Sequence, residues 1–269
     1  MGVWEAALFG VVQGITEFLP ISSTAHVTLA GILLGWQPKA AGAQWTAFLA
    51  SIQLGSLAAL VWYFWGELRE MGKALWDTHS RHRRKLLCAL IVGTLPLAAL
   101  GLLLKPVIEG PWTKDPGLIA AALAGGALLM AAAEFRRGAR QMAEIGWREA
   151  VLIGLGQAAA LIPGSSRSGM TLAVGMLLGI ERSAATQFAF LLGIPAIAAS
   201  GALELRLLLQ QGSPFSWYAL AVSFGAAFLS SYAAIAWLLR YVRTHTLWLF
   251  ILYRLGLAGA ILLAMFHAP

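Results

Sequence analysis

Long stretches without charged side chains are the feature of this sequence that most restricts its fold. Several of them are long enough to cross about 30 Å of hydrocarbon as a helix. Only 12% of the residues are charged and 59% are hydrophobic, with a mean hydropathy of +0.75, whereas a soluble domain carries about 25% charged residues. A soluble fold would have to bury every such stretch in one core, so we predict an all-α polytopic membrane protein. The predicted spans are 45–65, 86–104, 117–135, 184–204, 217–239 and 247–267.

Positive charge is concentrated in three of the loops that separate these spans. Loops 66–85, 136–149 and 240–246 contain six, four and two Lys or Arg residues. Cytoplasmic loops of membrane proteins collect Lys and Arg, so we place these three loops inside. The net charge of +7 is therefore interpreted as a topology signal, and nucleic acid is not an expected partner.

The beginning of the chain and its cysteine content exclude two other classes. The first residues, MGVWEAALFG, have no basic n-region and no clear small-residue cleavage site. We expect them to be retained rather than removed as a signal peptide. Cys88 is the only cysteine, which leaves no internal disulfide and no cysteine metal site.

Two further hydrophobic segments, 3–35 and 148–180, are interrupted near their middle by polar residues. The interruptions are LPISSTAH (19–26, the first elbow) and IPGSSRSG (162–169, the second elbow). If both segments crossed the membrane, some basic loops would change side, so we favour two re-entrant helical hairpins. Non-helical backbone at membrane depth is tolerated only where it is buried in protein or lines a wet cavity. The elbows are therefore expected to form a site.

The two interrupted segments resemble each other at polar positions, which predicts an internal duplication with halves of about 1–140 and 141–269. Each half would hold one hairpin and three spans, so the second copy would be inverted and both elbows would meet near the membrane midplane. Chance likeness between two apolar segments is the alternative. The pairing sets Gln13, Pro20, Ser22 and Ser23 against Gln157, Pro163, Ser165 and Ser166, with one residue of length difference.

The second elbow has the composition of an anion-binding turn. Hydroxyl- and glycine-rich turns at a helix N-terminus expose N–H groups that bind anions. Arg167 adds a guanidinium suited to phosphate oxygens, and an arginine at membrane depth is costly unless it functions. An arginine that snorkels from a helix end is the alternative. The candidate binding residues are Gly164, Ser165, Ser166 and Ser168 beside Arg167.

The first elbow supplies groups for acid–base and nucleophilic chemistry. Gln13 and Glu17 share one helix face just before the break, and His26 can act as base, acid or nucleophile. Glu17 could instead be a neutral, hydrogen-bonded carboxyl, and His26 could make a structural hydrogen bond. The hydroxyls that can cap the next helix or contact an oxyanion belong to Ser22, Ser23 and Thr24.

Together the elbows favour phosphoryl chemistry. Arg167 would bind phosphate and stabilise charge in the transition state. Glu17 could hold a divalent cation that bridges diphosphate oxygens, and either Ser23 or His26 could be the nucleophile or activate water. The residues alone do not decide between these roles.

The stretches QGITEFLPISSTAH and PGSSRSG resemble the two signature motifs of the bacterial undecaprenyl-diphosphate phosphatase, or bacitracin-resistance, family. The resemblance covers essentially the full chain, including FLASIQLGSLAAL (48–60) and the pair Tyr253–Arg254. It implies hydrolysis of undecaprenyl diphosphate to the monophosphate, which recycles the lipid carrier of cell-wall synthesis. It also implies an inner-membrane protein whose site opens to the periplasm, with a polyprenyl diphosphate and membrane lipids as partners; a homodimer is left open.

The resemblance also assigns roles to single residues. It implies that Glu17, Ser23, His26 and Arg167 are catalytic, with Glu17 as a metal ligand and Mg²⁺ or Ca²⁺ as cofactor. Gln13 stands where some relatives have a second glutamate, which puts a two-carboxylate metal site in doubt. Arg254 could pair with a phosphate or a carboxylate, snorkel, or make an internal hydrogen bond. A transporter or flippase for polyprenyl phosphate is the main rival function, because inverted repeats with broken helices are also a transporter architecture; a lipid-binding scaffold is a third.

Overall fold

The computed structural model describes residues 2–35, 38–77, 80–108, 110, 115–136, 138–211 and 215–267. These ranges are helical apart from short connections, two 3₁₀ turns (Met142–Glu144 and Ala159–Leu161) and one isolated bridge between Arg140 and Ile180. The helices are α1 (Val3–Phe18), α2 (Ser23–Leu33), α3 (Pro38–Tyr63), α4 (Trp65–Lys73), α5 (Arg81–Leu103), α6 (Lys105–Ile108), α7 (Pro116–Glu134), α8 (Trp147–Ala158), α9 (Arg167–Leu177), α10 (Arg182–Gln211), α11 (Trp217–Thr244) and α12 (Trp248–His267).

Five helices are long and apolar enough to cross a membrane, namely α5, α7, α10, α11 and α12. Each of them covers one predicted span. The sixth predicted span lies on α3, whose described apolar part is Ser51–Tyr63. The prediction of an all-α, multi-pass membrane protein is confirmed.

Both interrupted segments form pairs of short helices, α1–α2 and α8–α9. Pro20 disfavours helical backbone at Leu19, whose φ and ψ of −65° and 142° are extended. The next helix then starts from a serine with positive φ, Ser22 at 76° in the first elbow and Ser166 at 69° in the second. Each serine caps its helix, because its Oγ accepts from a backbone N–H three residues later. The re-entrant path of the hairpins through a membrane stays a prediction.

The helix boundaries repeat along the chain at one constant spacing. Helices α8, α9 and α10 each begin 144 positions after α1, α2 and α3, at residues 147, 167 and 182 against 3, 23 and 38. Ser22 and Ser166 are also 144 positions apart and share the N-cap position and the positive φ. The pairing of Ser22 with Ser165 was therefore wrong by one residue, and there is no length difference. This spacing is what a duplication predicts, while the duplication and its inverted orientation stay predictions.

The first arm of each hairpin packs along a helix from the other half of the chain. Helix α1 lies against α11, and α8 lies against α5. Both contacts need a glycine. A Cβ on Gly10 would lie 2.4 Å from the Ser223 carbonyl oxygen, and a Cβ on Gly154, 144 positions later, would lie 2.2 Å from that of Gly93. Small residues allow helix backbones in membranes to approach this closely.

We expect Gly10→Ala and Gly154→Ala each to lower the free energy of unfolding in detergent by about 1–3 kcal/mol, the usual cost of overpacking a close contact. Gly125→Ala is the matched control, because a Cβ there meets nothing within 4 Å. It should be neutral or slightly stabilising, since alanine favours a helix more than glycine does. Thermal unfolding followed by circular dichroism measures all three; equal midpoints would contradict the packing described.

Candidate active site

The two elbows meet directly, as the sequence predicted. Arg167 of the second hairpin donates from Nη2 to Glu17 Oε1 of the first over 3.1 Å. Beside this ion pair, Ser168 Oγ donates to the carbonyl oxygen of Leu19 over 3.1 Å. The acidic and basic groups that lie far apart in the chain therefore form one cluster.

Glu17 is the centre of this cluster. Its Oε2 accepts from Ser23 Oγ at 2.7 Å and from Gln13 Nε2 at 3.0 Å, while Oε1 accepts from Arg167. Gln13 and Glu17 are both buried and lie one helical turn apart on α1. A carboxylate that accepts the hydroxyl proton of a serine is arranged to act as its general base.

Arg167 has donor capacity left for a ligand. Its Nη1 is buried and makes no hydrogen bond within the described part of the chain. The guanidinium lies against Gly193 of α10, where a Cβ would be 2.0 Å from Nη1. Arg167 is also the first residue of α9, so the positive end of the helix dipole adds to its charge. These features suit a phosphate group.

Equivalent positions of the two hairpins carry complementary chemistry. Ser23 and Arg167 are the first residues of α2 and α9, 144 positions apart. The same spacing sets Glu17 against Leu161, so the second hairpin has no carboxylate at the position equivalent to Glu17. The site is therefore asymmetric although the backbone repeats.

A cavity of about 380 Å³ opens beside the cluster. Helices α3, α5 and α10 complete its wall with Leu49, Leu97 and Ile197, which make one side apolar. Three polar lining residues were not singled out from the sequence: Thr28, Gln53 and Ser200. Gln53 is the one amide side chain in the predicted span 45–65, a signal that could have indicated it. The expected site residues that line the cavity are Gln13, Glu17, Ser22, Ser23, Thr24, Gly164, Ser166 and Arg167.

Three expected site residues do not line this cavity: His26, Ser165 and Ser168. Ser168 bonds Leu19 and also lies 3.3 Å from Ser166 Oγ, so its hydroxyl helps to build the second elbow. The carbonyl oxygen of Ser165 accepts from Arg254 over 2.9 Å. Ser165 and Ser168 thus help to shape the turn, and the direct binding roles expected for them stay predictions.

His26 lies apart from the cluster, on the side of α2 that meets α12. Its Nδ1 is 2.7 Å from the carbonyl oxygen of Ser22, and its Nε2 is 2.6 Å from the hydroxyl of Tyr253. A carbonyl can only accept, so Nδ1 carries the proton and Nε2 accepts from Tyr253 in the neutral ring. The rings of His26 and Tyr253 also stack. The structural hydrogen bond, which was the alternative for His26, describes this arrangement; a catalytic role stays a prediction.

The donor set of the cavity suits a cation that is shared with a ligand. Glu17 is the acidic side chain of the lining, and the described residues contain no group of three His, Cys, Asp or Glu side chains. Mg²⁺ keeps several waters and can bind one carboxylate together with phosphate oxygens. These residues fit such a bridging cation and do not fit a cation held by protein ligands alone.

Comparisons with known proteins agree with this geometry. The family model described as bacitracin resistance protein BacA matches residues 6–260. The chain belongs to the BacA family. Relatives named undecaprenyl-diphosphatase include those of Syntrophobacter fumaroxidans, 40% identical over 99% of both chains, and Gloeobacter violaceus, 41% identical over 100% of this chain and 93% of the relative. A third, from Myxococcus xanthus, is 42% identical over 98% of this chain and 89% of the relative. The family similarity thus includes both elbows.

The His26–Tyr253 pair predicts a measurable coupling. Tyr253→Phe keeps the stacked ring and removes the hydroxyl, so it should lower the free energy of unfolding by about 0.5–1.5 kcal/mol, the net value of one hydrogen bond. In a His26→Phe background the same change should have almost no effect. Chemical unfolding in detergent measures both, with the exposed Tyr218 changed to Phe as the control. Additive effects of the two changes would contradict the bond.

Proposed function

We propose that this chain is an integral membrane phosphatase that hydrolyses undecaprenyl diphosphate to undecaprenyl phosphate and inorganic phosphate. The observation that carries the proposal is the contact of Glu17 with both Ser23 and Arg167 at the wall of one cavity. The names of the relatives support the substrate. The cell-wall role follows from recycling of the lipid carrier.

In the proposed reaction, Arg167 turns its guanidinium donors, among them the Nη1 that has no partner in the described part of the chain, to the terminal phosphate. The N-terminal N–H groups of α9 add positive potential at the same place, and both stabilise the charge that develops on the phosphoryl oxygens. Ser23 Oγ attacks the terminal phosphorus while its proton passes to Glu17. The bond between phosphorus and the bridging oxygen breaks, and undecaprenyl phosphate leaves with the proton that Glu17 took from Ser23, which returns Glu17 to a carboxylate. Water, deprotonated by Glu17, then hydrolyses the phosphoserine and releases phosphate.

Ser23 is preferred to His26 as the nucleophile for two reasons. Ser23 lines the cavity and already donates to Glu17 over 2.7 Å. Both ring nitrogens of His26 are bonded elsewhere, to Ser22 and Tyr253. His26 is proposed to hold the carbonyl of Ser22 and so the shape of the first elbow.

A divalent cation, Mg²⁺ or Ca²⁺, is proposed as cofactor. It would enter with the substrate, held by Glu17 and by diphosphate oxygens, and it would neutralise charge on the diphosphate. The neutral side chain of Gln13 donates to Glu17, so this site offers the cation a single carboxylate.

The lipid tail is proposed to leave the cavity along its apolar wall and to lie between the helices. The basic loops support an orientation in the bacterial inner membrane with these loops in the cytoplasm, and the site is proposed to open towards the periplasm. All of the groups named in the reaction come from one chain, so the homodimer stays a prediction without a role in the chemistry.

The transporter or flippase is not favoured. A serine hydroxyl held on a carboxylate beside an arginine is an arrangement for bond cleavage, whereas translocation alone requires no nucleophile. Nothing in the described site favours the scaffold either.

Phosphate release from undecaprenyl diphosphate by the purified protein in detergent tests the reaction. Ser23→Ala should lower kcat by at least about 10²-fold, because nucleophile and proton transfer are lost together. Ser183→Ala is the matched control, since Ser183 also donates to a carboxylate, that of Glu181, at 2.8 Å but outside the cavity. Its kcat should match the wild type. Full activity in Ser23→Ala would exclude the proposed nucleophile, and an inactive wild type would exclude the function.

Gln13→Glu tests the bridging cation. A second carboxylate should lower the Mg²⁺ concentration for half-maximal activity by about tenfold, because added ligand charge strengthens binding. It should also create Mn²⁺ binding without substrate, measurable by calorimetry. The double change Gln13→Glu with Glu17→Gln restores a single carboxylate and should abolish that binding. Strong substrate-free binding by the wild type would contradict a cation that enters with the diphosphate.

A further inference from the structure

Arg254 is a fully buried cation near the middle of α12, with an exposed fraction of 0%. Within the described part of the chain, all of its hydrogen bonds go to neutral backbone carbonyls and none goes to a carboxylate. Burying an arginine at membrane depth is costly and rarely without function. The acceptors are Leu123 for Nε at 3.1 Å, Pro20 for Nη1 at 3.2 Å, and Ala122, Gly164 and Ser165 for Nη2 at 3.3, 3.2 and 2.9 Å.

Three of these five carbonyls belong to the places where helices are interrupted, and the other two lie within α7. Pro20 lies in the first elbow, and Gly164 and Ser165 lie in the second. Interrupting a helix leaves carbonyls without an intrahelical donor, and in a membrane another protein group has to bond them. Arg254 is that group for both elbows at once.

The two elbow positions bonded by Arg254 are equivalent. Pro20 and Gly164 are separated by the same 144 positions that separate the helix starts. One guanidinium therefore bonds the matching carbonyl of each hairpin. Gly126 makes room for it, because a Cβ there would lie 2.1 Å from Nη2.

The bonds of Arg254 matter most when a diphosphate is bound. Without ligand, the elbows are also joined by the Glu17–Arg167 ion pair and by the bond from Ser168 to Leu19. In the proposed reaction Arg167 turns its donors to phosphate, which weakens the contact with Glu17. The bonds from Arg254 to Pro20 and Gly164 do not involve the reacting groups, so they persist through the reaction.

We propose that Arg254 is a positioning residue that holds the two elbows together, so that Ser23 and Glu17 stay aligned with the phosphate on Arg167. Its uncompensated charge also attracts the anionic headgroup from behind the elbows. The inference rests on the proposed function. It assigns to Arg254 an effect on kcat rather than on substrate binding alone, since a misalignment of about 1 Å can cost about 10²-fold in rate.

Steady-state kinetics of two variants and their matched controls test the inference. Arg254→Lys keeps the charge but replaces the planar fork by an ammonium. It should lower kcat about 10- to 100-fold with little change in KM. The control Arg182→Lys alters another arginine, bonded to Glu134 and to the His245 carbonyl away from the elbows. It should lower the unfolding midpoint by a similar amount but leave kcat unchanged within a few-fold.

A second pair of variants leaves Arg254 itself intact. Gly126→Ala forces the guanidinium to move and should lower kcat at least about tenfold, whereas Gly125→Ala, one residue earlier and facing open space, should not. If Arg254→Lys does not fold, the kcat values of Gly126→Ala and Gly125→Ala test the positioning role without it. Added guanidinium should also restore part of the kcat of Arg254→Ala, which a loss of stability alone would not allow.

The outcomes separate this inference from the function. Wild-type kcat in both Arg254→Lys and Gly126→Ala, with an active wild type, overturns the positioning role and leaves the phosphatase standing. Losses in Arg254→Lys and Arg182→Lys that simply follow their unfolding midpoints also overturn it. Absence of phosphate release from the wild type overturns the phosphatase and this inference with it.

Discussion

Two interruptions of helical hydrogen bonding inside hydrophobic segments determine how this protein is built. Each interruption frees backbone carbonyls that lipid cannot bond, so the chain has to supply donors from its own interior. Arg254 supplies them for both elbows, and the capping serines Ser22 and Ser166 supply acceptors for backbone N–H groups of the helix starts that follow. The close approach of the hairpins follows from this requirement, because one guanidinium can bond both elbows only if they touch.

The chemistry depends on which side chains begin the helices that follow the two elbows. Helices α2 and α9 begin at equivalent positions, yet one begins with the hydroxyl of Ser23 and the other with the guanidinium of Arg167. Glu17 contacts both. Its equivalent in the second hairpin is Leu161, and Gln157, the equivalent of Gln13, is fully buried without a hydrogen-bond partner among the described residues. The proposed reaction therefore uses two hairpins with the same helix spacing but different side chains.

Much of this could be predicted from the sequence, because charge-free spans and polar interruptions are local signals. The membrane class, five of the six spans and the meeting of Glu17 with Arg167 were predicted in this way. The position of His26 was not, since spacing places a residue on a helix but does not tell which neighbour lies across from it. Tyr253 and Arg254 stand side by side in the chain and bond different parts of the first elbow, His26 and Pro20. Such contacts depend on how α12 packs on α7 and α2, for which one sequence has no periodic signal. The pairing of residues between the two elbows was misjudged by one position, because each elbow contains two adjacent serines.

The packing of α1 along α11 has a consequence for how the protein is made. Residues 3–18 leave the ribosome first, whereas the helix that covers them, residues 217–244, is among the last to be synthesised. Arg254, which bonds the first elbow, follows still later. Helices α2 and α3 can pack on α1 early, but its contact with α11 has to wait until most of the chain has been synthesised. A chain that stops before α11 therefore contains Glu17, Ser23 and Arg167 but lacks the helix along which the first arm of its hairpin packs.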